Sequence, residues 1–166
     1  MNRELLMGKP NEEELRTLAA DIDEICVQHG INTHWVPFGK NWANKELREI
    51  QVEEITCTGN YAAALHEIGH IFCDQESKPN DPLGELTQQC RAWQWAIDKR
   101  QACFDGQCWR RMHADLREYA RPVRDIPTEH AFHALVALAE TNAPDINPYG
   151  TPSFKSSKRK QTPSGG

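Results

Sequence analysis

The chain has 166 residues, which suits one domain and cannot build a barrel of eight βα units. Hydrophobic residues make up 39% of the sequence, the ten glycines raise the apolar share to about 45%, at the low end of globular usage, and charged residues make up an ordinary 26%. No apolar run approaches the roughly 20 residues of a transmembrane helix, and the N-terminus lacks the apolar segment of a secretory signal. We therefore expect a cytoplasmic protein that does not bind membranes.

The net charge of −5 is unevenly distributed. Residues 142–166 carry four basic side chains against one acidic side chain, so the rest of the chain is more acidic than the total suggests. An acidic body argues against binding along a nucleic-acid backbone, except through the basic tail. Six cysteines occur without a CxxC pair, and in a cytoplasmic protein we expect them to be free thiols: Cys26, Cys57, Cys73, Cys90, Cys103 and Cys108.

The N-terminal part of the chain predicts one helix followed by two extended segments. Residues 11–29 show an apolar stripe at helical spacing, with Asn11 as the N-cap. Residues 31–38 favour an extended segment, and residues 39–45 favour a polar loop. Apolar and charged residues then alternate over residues 47–55, which predicts a half-exposed strand at the edge of a sheet.

The remainder predicts helices separated by loops rich in Pro, Asn and Gly. The segment 75–82 is a loop of this kind, and Pro127 suits the first turn of the last helix. The predicted helices cover residues 61–74, 83–102, 108–119 and 127–140. Four prolines and three glycines follow in the last 25 residues and predict a disordered tail. The expected domain is residues 1–141, and the basic tail is 142–166.

The apolar helix over residues 61–74 contains the spacing HExxH. His66 and His70 are four residues apart, so their imidazoles can bind one metal ion. Glu67 lies about 100° around the helix from His66, where it can reach water beside the metal. Zinc lowers the pKa of such water to roughly 7, and the glutamate takes its proton as it attacks a carbonyl. The alternative is a pair of hydrogen-bonded core histidines, which are costly to bury in an apolar helix.

A strand, the segment Ala64–His70 and the Ala92–Ala96 segment of the next helix resemble the gluzincin type of zincin metallopeptidases. The similarity is greatest to compact bacterial and phage members around the ImmA/IrrE peptidases, and it covers residues 46–98. It implies an α+β, zincin-like fold, mainly helical, with a small edge-stranded sheet packed on the HExxH helix. It also implies that an edge strand binds the substrate backbone, and that two histidines and an acid of the next helix hold one Zn²⁺ per chain.

The acidic ligand is the member of this ligand set whose identity the sequence leaves open. On the helix predicted over residues 83–102, Glu85 is the only carboxylate on the stripe that the alanines 92 and 96 mark for close approach. Glu85 is therefore the predicted ligand, although it lies earlier than the acid of the family, whose place is taken by Gln89, a poor zinc ligand. Cys90 is a suitable ligand chemically, but it points about 140° away from Glu85. A downstream histidine, or no protein ligand, is a further alternative.

Other polar residues fit less specific roles. Cys73 lies on the same stripe as His66, and three ligands along one straight helix cannot converge on a tetrahedral ion, so we interpret Cys73 as a packing residue. Trp93 is interpreted as a core residue. A donor that stabilises an oxyanion beside the zinc could come from four residues, each of which also suits an ordinary helix surface: His113, Tyr119, His130 and His133.

The sequence thus predicts a zinc metallopeptidase that hydrolyses a peptide bond of a protein or peptide substrate. His66, His70 and Glu85 are the predicted metal ligands, and Glu67 is the predicted general base. Two other classes stay open. One is a catalytically inactive, zinc-stabilised interaction or regulatory protein of phage or mobile-element type, which Gln89 favours. The other is a regulator that binds DNA or RNA through the basic tail.

Overall fold

The computed structural model describes residues 10–75, 78–123 and 129–146. Over these residues the fold is α+β, as predicted: it is mainly helical and contains a small three-stranded sheet. Among the helices of the described part, none is both long and apolar enough to cross a membrane.

The first helix, α1, covers Glu12–Gln28 and begins after the predicted N-cap. The Asn11 side chain accepts a hydrogen bond from the backbone N–H of Glu14 (2.8 Å), and the Glu14 side chain accepts one from the backbone N–H of Asn11 (2.9 Å). This reciprocal capping box satisfies two backbone donors at the helix start.

Three short strands follow: β1 (Asn32–Val36), β2 (Trp42–Asn44) and β3 (Glu49–Glu53). Their order in the sheet is β1-β3-β2. β1 pairs in parallel with β3, and β2 pairs with β3 in the antiparallel direction. One edge of the sheet is therefore formed by β2, the shortest strand.

The sequence-based prediction of this sheet was wrong in two respects. β3 is the central strand rather than an edge strand: its Ile50 and Val52 are fully buried, while the alternate charged and polar residues lie on the more accessible face. The polar residues of β3 therefore form the solvent-accessible face of a small sheet, and they do not indicate a position at its edge. The segment 39–45 is not only a loop, because it contains β2, which is too short to produce a readable alternation.

Four helices and one 3₁₀ turn complete the described part of the chain. The helices are α2 (Thr58–Cys73), α3 (Pro82–Arg100), α4 (Gly106–Ala120) and α5 (His130–Asn142). α2 begins three residues earlier than predicted, because its first turn contains a Gly and an Asn, whose low helix propensity hides the helix start in the sequence. α3 and α4 each begin after an aspartate N-cap, Asp81 and Asp105, whose side chains accept backbone hydrogen bonds.

The C-terminal predictions are covered only in part. Pro127 lies outside the described residues. α5 ends at Asn142, two residues beyond the prediction, and Asp145 forms an ion pair with Arg110 of α4 (3.1 Å). The folded body therefore extends past the predicted boundary, while residues 147–166 of the predicted tail lie outside the described residues.

A polar cluster connects α1 to α2 and α3. The Asp21 carboxylate accepts hydrogen bonds from the hydroxyl of Tyr61 (2.6 Å) and from two nitrogens of Arg100 (2.9 Å each). Burial alone would raise the pKa of Asp21, but these hydrogen bonds and the charge of Arg100 outweigh it and hold the pKa below its ordinary value. Because Tyr61 is fully buried, this cluster fixes the rotation of α2 about its axis.

α2 and α3 meet in a contact between their backbones. A Cβ atom at Gly69 would lie 2.5 Å from the carbonyl oxygen of Ala92 and 3.0 Å from its Cα atom, so only glycine fits there. Ala92 and Ala96, the alanines predicted to mark the side of close approach, are both fully buried. The contact brings the HExxH face of α2 directly against α3.

Gly69→Ala should lower the free energy of unfolding by roughly 1–3 kcal/mol, because the added methyl group forces the two backbones apart. Gly59→Ala in the same helix is the matched control, since its Cβ atom would meet nothing closer than 3.7 Å. Alanine favours the helix, so the control should be neutral or more stable by up to about 1 kcal/mol. Urea unfolding of both variants measures the difference, and equal stabilities would contradict the tight contact.

Candidate metal centre

His66 and His70 lie side by side on α2, with ring centroids 4.6 Å apart. Both are buried, and both line a cavity of about 540 Å³. Together with Glu67 they form a group whose ligand atoms all lie within 4.8 Å of one another. The two imidazoles therefore face one cavity, as their spacing predicts.

The carboxylate of Asp74 orients His70. Its Oδ1 atom lies 2.7 Å from Nδ1 of His70, and its Oδ2 atom accepts a hydrogen bond from the amide of Gln88 (2.7 Å). The ammonium group of Lys45 donates to the backbone carbonyl of Asp74. Since Nδ1 is held by a carboxylate, Nε2 is the nitrogen of His70 that is available to a ligand, an arrangement common around metal-binding histidines.

The protonation of His70 follows from these neighbours. Burial alone would lower the pKa of His70, but the hydrogen bond to Asp74, the charges of Glu67 and Asp74, and the hydrogen bond to Gln89 outweigh it and raise the pKa. Without a metal, both ring nitrogens of the imidazolium form donate hydrogen bonds. A metal ion at Nε2 would compete with the proton on that nitrogen.

Gln89 of α3 lies between the two histidines. Its Oε1 atom is 2.7 Å from Nε2 of His66 and 3.1 Å from Nε2 of His70. Two donors on a tetrahedral zinc ion with bonds of 2.0–2.1 Å are roughly 3.3 Å apart, so the amide oxygen lies at nearly the spacing of a ligand from each Nε2 atom. The amide is neutral, however, and supplies no charge to balance a cation.

Trp93 and Asp115 bound the site on the side of His66. The indole of Trp93 stacks on the imidazole of His66, with centroids 4.4 Å apart and planes 14° from parallel. Its Nε1–H group donates to Oδ2 of Asp115 (2.8 Å), and that oxygen lies 3.9 Å from Nε2 of His66. Trp93 is a buried core residue, as predicted, and it also holds both the ring and the carboxylate in place.

Glu67 lies beside the imidazoles but contacts a different nitrogen. Its Oε2 atom is 3.5 Å from Nδ1 of His66, whereas the Nε2 atoms of both histidines face Gln89. Its largely buried side chain lines the same cavity. The Glu67 carboxylate is thus placed to exchange a proton within the cavity while the Nε2 atoms bind another group.

The residues present fit a zinc ion. Two imidazoles and a carboxylate are N and O donors of the kind that zinc binds at 2.0–2.2 Å. Oε1 of Gln89 lies 2.7 and 3.1 Å from the two Nε2 atoms, and Oδ2 of Asp115 lies 3.9 Å from Nε2 of His66. These distances lie on both sides of the roughly 3.3 Å expected between two zinc ligands. Three carboxylates surround the two imidazoles and supply compensating negative charge: Glu67, Asp74 and Asp115.

The structure does not bring Glu85 into this group. Its side chain is exposed and lines an adjoining cavity, and Gln89 is the member of the predicted stripe that reaches the histidines. Cys90 is buried in the core, where burial and the charge of Glu129 raise the pKa of its thiol to about 12. The role of Glu85 as a ligand stays a prediction.

Of the four predicted donor candidates, Tyr119 is the one that lines the cavity of the histidines. His113 instead contacts Glu140 (3.4 Å between Nε2 and Oε2), and His133 lines a separate cavity between α4 and α5. His130 is exposed at the first residue of α5.

The phenol of Tyr119 keeps its proton at neutral pH. Burial and the charges of Asp115, Glu67 and Glu85 all raise its pKa. The hydroxyl group is therefore available as a hydrogen-bond donor at the cavity.

Two walls enclose the cavity. Residues 39–43, which include the first two residues of β2, form one wall. Arg111, Asp115 and Tyr119 form the other; they are spaced by four residues on α4 and so share one face of that helix. In the described part of the chain β2 pairs only with β3, so the backbone groups of its other edge remain available for pairing.

Sequence reasoning missed two neighbours of the histidines. Asp74 had a usable signal, because it follows His70 by four residues and so lies one turn further along the same face. Asp115 had none, because it belongs to the second helix after α2, and the packing of α4 against α2 alone brings it to His66.

Comparisons of the chain with models of protein families, with curated proteins and with solved structures found no match. The interpretation of the site therefore depends on the residues of this chain. The resemblance to zincin metallopeptidases stays a prediction from the motif and its surroundings.

Asp74→Asn should weaken zinc binding roughly 10- to 100-fold, because the negative charge that orients His70 is lost. Asp98→Asn is the control: Asp98 is an exposed aspartate of α3 that contacts Gln94 and lies outside the site. Competition with a chromogenic chelator measures both affinities. If Asp74→Asn binds zinc as tightly as the control does, Asp74 does not orient a ligand.

Proposed function

We propose that this chain is a zinc-dependent peptidase that hydrolyses a peptide bond of a protein or peptide substrate. The observation that carries the proposal is the meeting of His66, His70 and Glu67 in one cavity, beside the edge strand β2. The imidazoles would bind the ion, the carboxylate would move a proton, and the strand edge would hold an extended peptide. The resemblance of the motif to gluzincins supports the same function.

His66 and His70 would hold the ion through their Nε2 atoms. Asp115 would supply the third protein ligand, because its Oδ2 atom lies 3.9 Å from Nε2 of His66, whereas Glu85 forms no ion pair with either histidine. Zinc, when bound, supplies a Lewis acid that polarises a carbonyl oxygen and lowers the pKa of water to about 7.

Glu67 would act as the general base. Its carboxylate takes a proton from the water whose oxygen adds to the carbonyl carbon of the substrate. As the C–N bond breaks, the same carboxyl group returns that proton to the leaving amine, so Glu67 is regenerated. Its burial beside His66 keeps bulk water from competing for this proton.

Tyr119 would stabilise the charge that develops on the carbonyl oxygen. The phenol reaches the cavity from α4. Because its pKa is raised, it donates a hydrogen bond and does not ionise.

The substrate would bind as an additional strand along β2. An edge strand presents unpaired N–H and C=O groups that an extended peptide can pair with. Trp42 and Ala43 of β2 line the cavity that holds Glu67. Pairing along this edge would therefore carry successive peptide groups past the general base.

One observation favours a second candidate, a zinc-stabilised interaction or regulatory protein without activity. Gln89 presents a neutral amide to both histidines. If no carboxylate completes the site, an ion held by two imidazoles and an amide would be weakly bound. Such a protein would bind metal and partner without hydrolysis, so the metal measurement and the cleavage measurement have to be made separately.

The purified protein should contain about one zinc per chain, and His66→Ala or His70→Ala should lose it. Asp115→Asn should weaken zinc binding by about 100-fold or more, because a direct ligand contributes at least as much as a residue that orients one. Glu85→Gln is the matched control and should change the affinity little. Elemental analysis gives the zinc content, and chelator competition gives the affinities.

Less than a tenth of an equivalent of zinc in wild-type protein purified without chelators would contradict the metal site. A large loss of affinity in Glu85→Gln, with none in Asp115→Asn, would return the ligand role to Glu85.

Glu67→Gln should keep zinc and fold but lose hydrolysis by about 10²- to 10⁴-fold, the contribution typical of a general base. The zinc-loaded protein is incubated with a library of peptides from a digested proteome, and new termini are identified by mass spectrometry. Wild-type protein should produce termini that Glu67→Gln does not. Cleavage by both at the same rate would overturn the peptidase proposal, whatever the metal content.

A further inference from the structure

Arg111 has no function in the chemistry proposed above, yet its side chain lines the cavity. It lies on α4 one turn before Asp115, on the face that also carries Tyr119. Its side chain is half-buried, unlike those of Lys40 and Lys78, which are exposed at the same cavity.

The guanidinium group of Arg111 forms no hydrogen bond and no ion pair in the described part of the chain. Other arginines have acidic partners there: Arg100 binds Asp21, and Arg110 binds Asp145. A half-buried cation without a partner loses hydration without compensation, so its position favours an anionic ligand.

No carboxylate of the cavity forms an ion pair with Arg111 in the described part of the chain. Asp74 binds His70 and Gln88, and Asp115 accepts the indole hydrogen bond of Trp93. Since none of these carboxylates pairs with the guanidinium, its five N–H donors remain available to a bound molecule.

The packing of Arg111 against the start of α2 fixes the part of the cavity that its side chain can reach. Its Cβ atom lies 3.8 Å from the Cβ position at Gly59, two turns before His66 on α2. The Cα atom of Arg111 is about 6 Å along the α4 axis from that of Asp115. Since an extended peptide advances about 3.3 Å per residue, Arg111 can reach a group within about two residues of the one beside His66.

We propose that Arg111 binds a carboxylate of the substrate and that the site prefers peptides with a carboxylate within about two residues of the cleaved bond. The proposal rests on the peptidase function above and adds its substrate class. A guanidinium binds a carboxylate through two parallel hydrogen bonds, so the ligand can be an Asp or Glu side chain or the C-terminal carboxylate of a peptide.

Four matched peptides separate these two sources. They share one sequence taken from a cleaved site, with either Glu or Gln next to the bond and with either a free or an amidated C-terminus. A side-chain preference shows as faster cleavage of the Glu peptides whatever the terminus. A terminal preference shows as faster cleavage of the free peptides, within two residues of their end.

Arg111→Gln should lower kcat/KM for the preferred peptide about 10- to 100-fold while leaving the peptide without a nearby carboxylate unchanged. Arg111→Lys should keep part of the preference, because the charge remains and the paired donors are lost. Arg117→Gln, an exposed arginine of the same helix outside the cavity, should match wild type. An equal loss on all peptides in Arg111→Gln, or no preference in wild type, would overturn the proposal.

A binding measurement keeps this result separate from the failure of the peptidase proposal. Fluorescein-labelled peptides of one arbitrary extended sequence, with the same exchanges of Glu for Gln and of a free for an amidated C-terminus, are titrated with zinc-loaded Glu67→Gln and with Glu67→Gln/Arg111→Gln, with anisotropy as the readout. Tighter binding of a carboxylate-bearing peptide to the first protein alone supports Arg111 even if no peptide is cleaved. Equal binding of all peptides, or no binding, overturns the role of Arg111 whether or not cleavage occurs.

Discussion

The backbone contact between Gly69 and Ala92 sets the distance between α2 and α3, and the candidate site depends on that distance. Because no Cβ atom separates the two helices, side chains of α3 reach the imidazoles of α2 directly. Gln89, three residues before Ala92, touches both Nε2 atoms, and Trp93, the residue after it, stacks on His66. A wider separation would lengthen all of these contacts together.

The two histidines differ in what holds them. His70 is oriented from its own helix by Asp74, one turn away, whereas His66 is held by Trp93 from the neighbouring helix. The Asp21 cluster at Tyr61 fixes α2 nearer its start, so the helix cannot rotate its polar face away from the cavity. Rigid supports of this kind keep a site near its working geometry before a ligand binds.

The charged groups around the cavity differ in how firmly their hydrogen-bond partners hold them, and this difference indicates their roles. Asp74 and Asp115 each accept a short hydrogen bond from a neighbouring residue and are therefore fixed in place. Among the described residues Glu67 has only a longer contact, with His66, which suits a group that has to take and return a proton. Arg111 lines the same cavity and pairs with none of these acids in the described part of the chain, so the cavity offers bound molecules both acidic and basic groups.

Features that depend on short-range spacing could be predicted from the sequence. Periodicity and capping residues predicted α1 and its Asn11 cap, the four-residue spacing of His66 and His70 predicted their common face, and the alanines of α3 predicted the side of close approach. The position of β3 in the sheet, the existence of the edge strand β2, and the neighbours Gln89 and Asp115 were decided by tertiary structure. Strand order and contacts between distant helices result from packing, which brings together residues whose separation along the chain has no periodic signal. For that reason the stripe on α3 correctly indicated the facing helix but not which of its residues reaches the histidines.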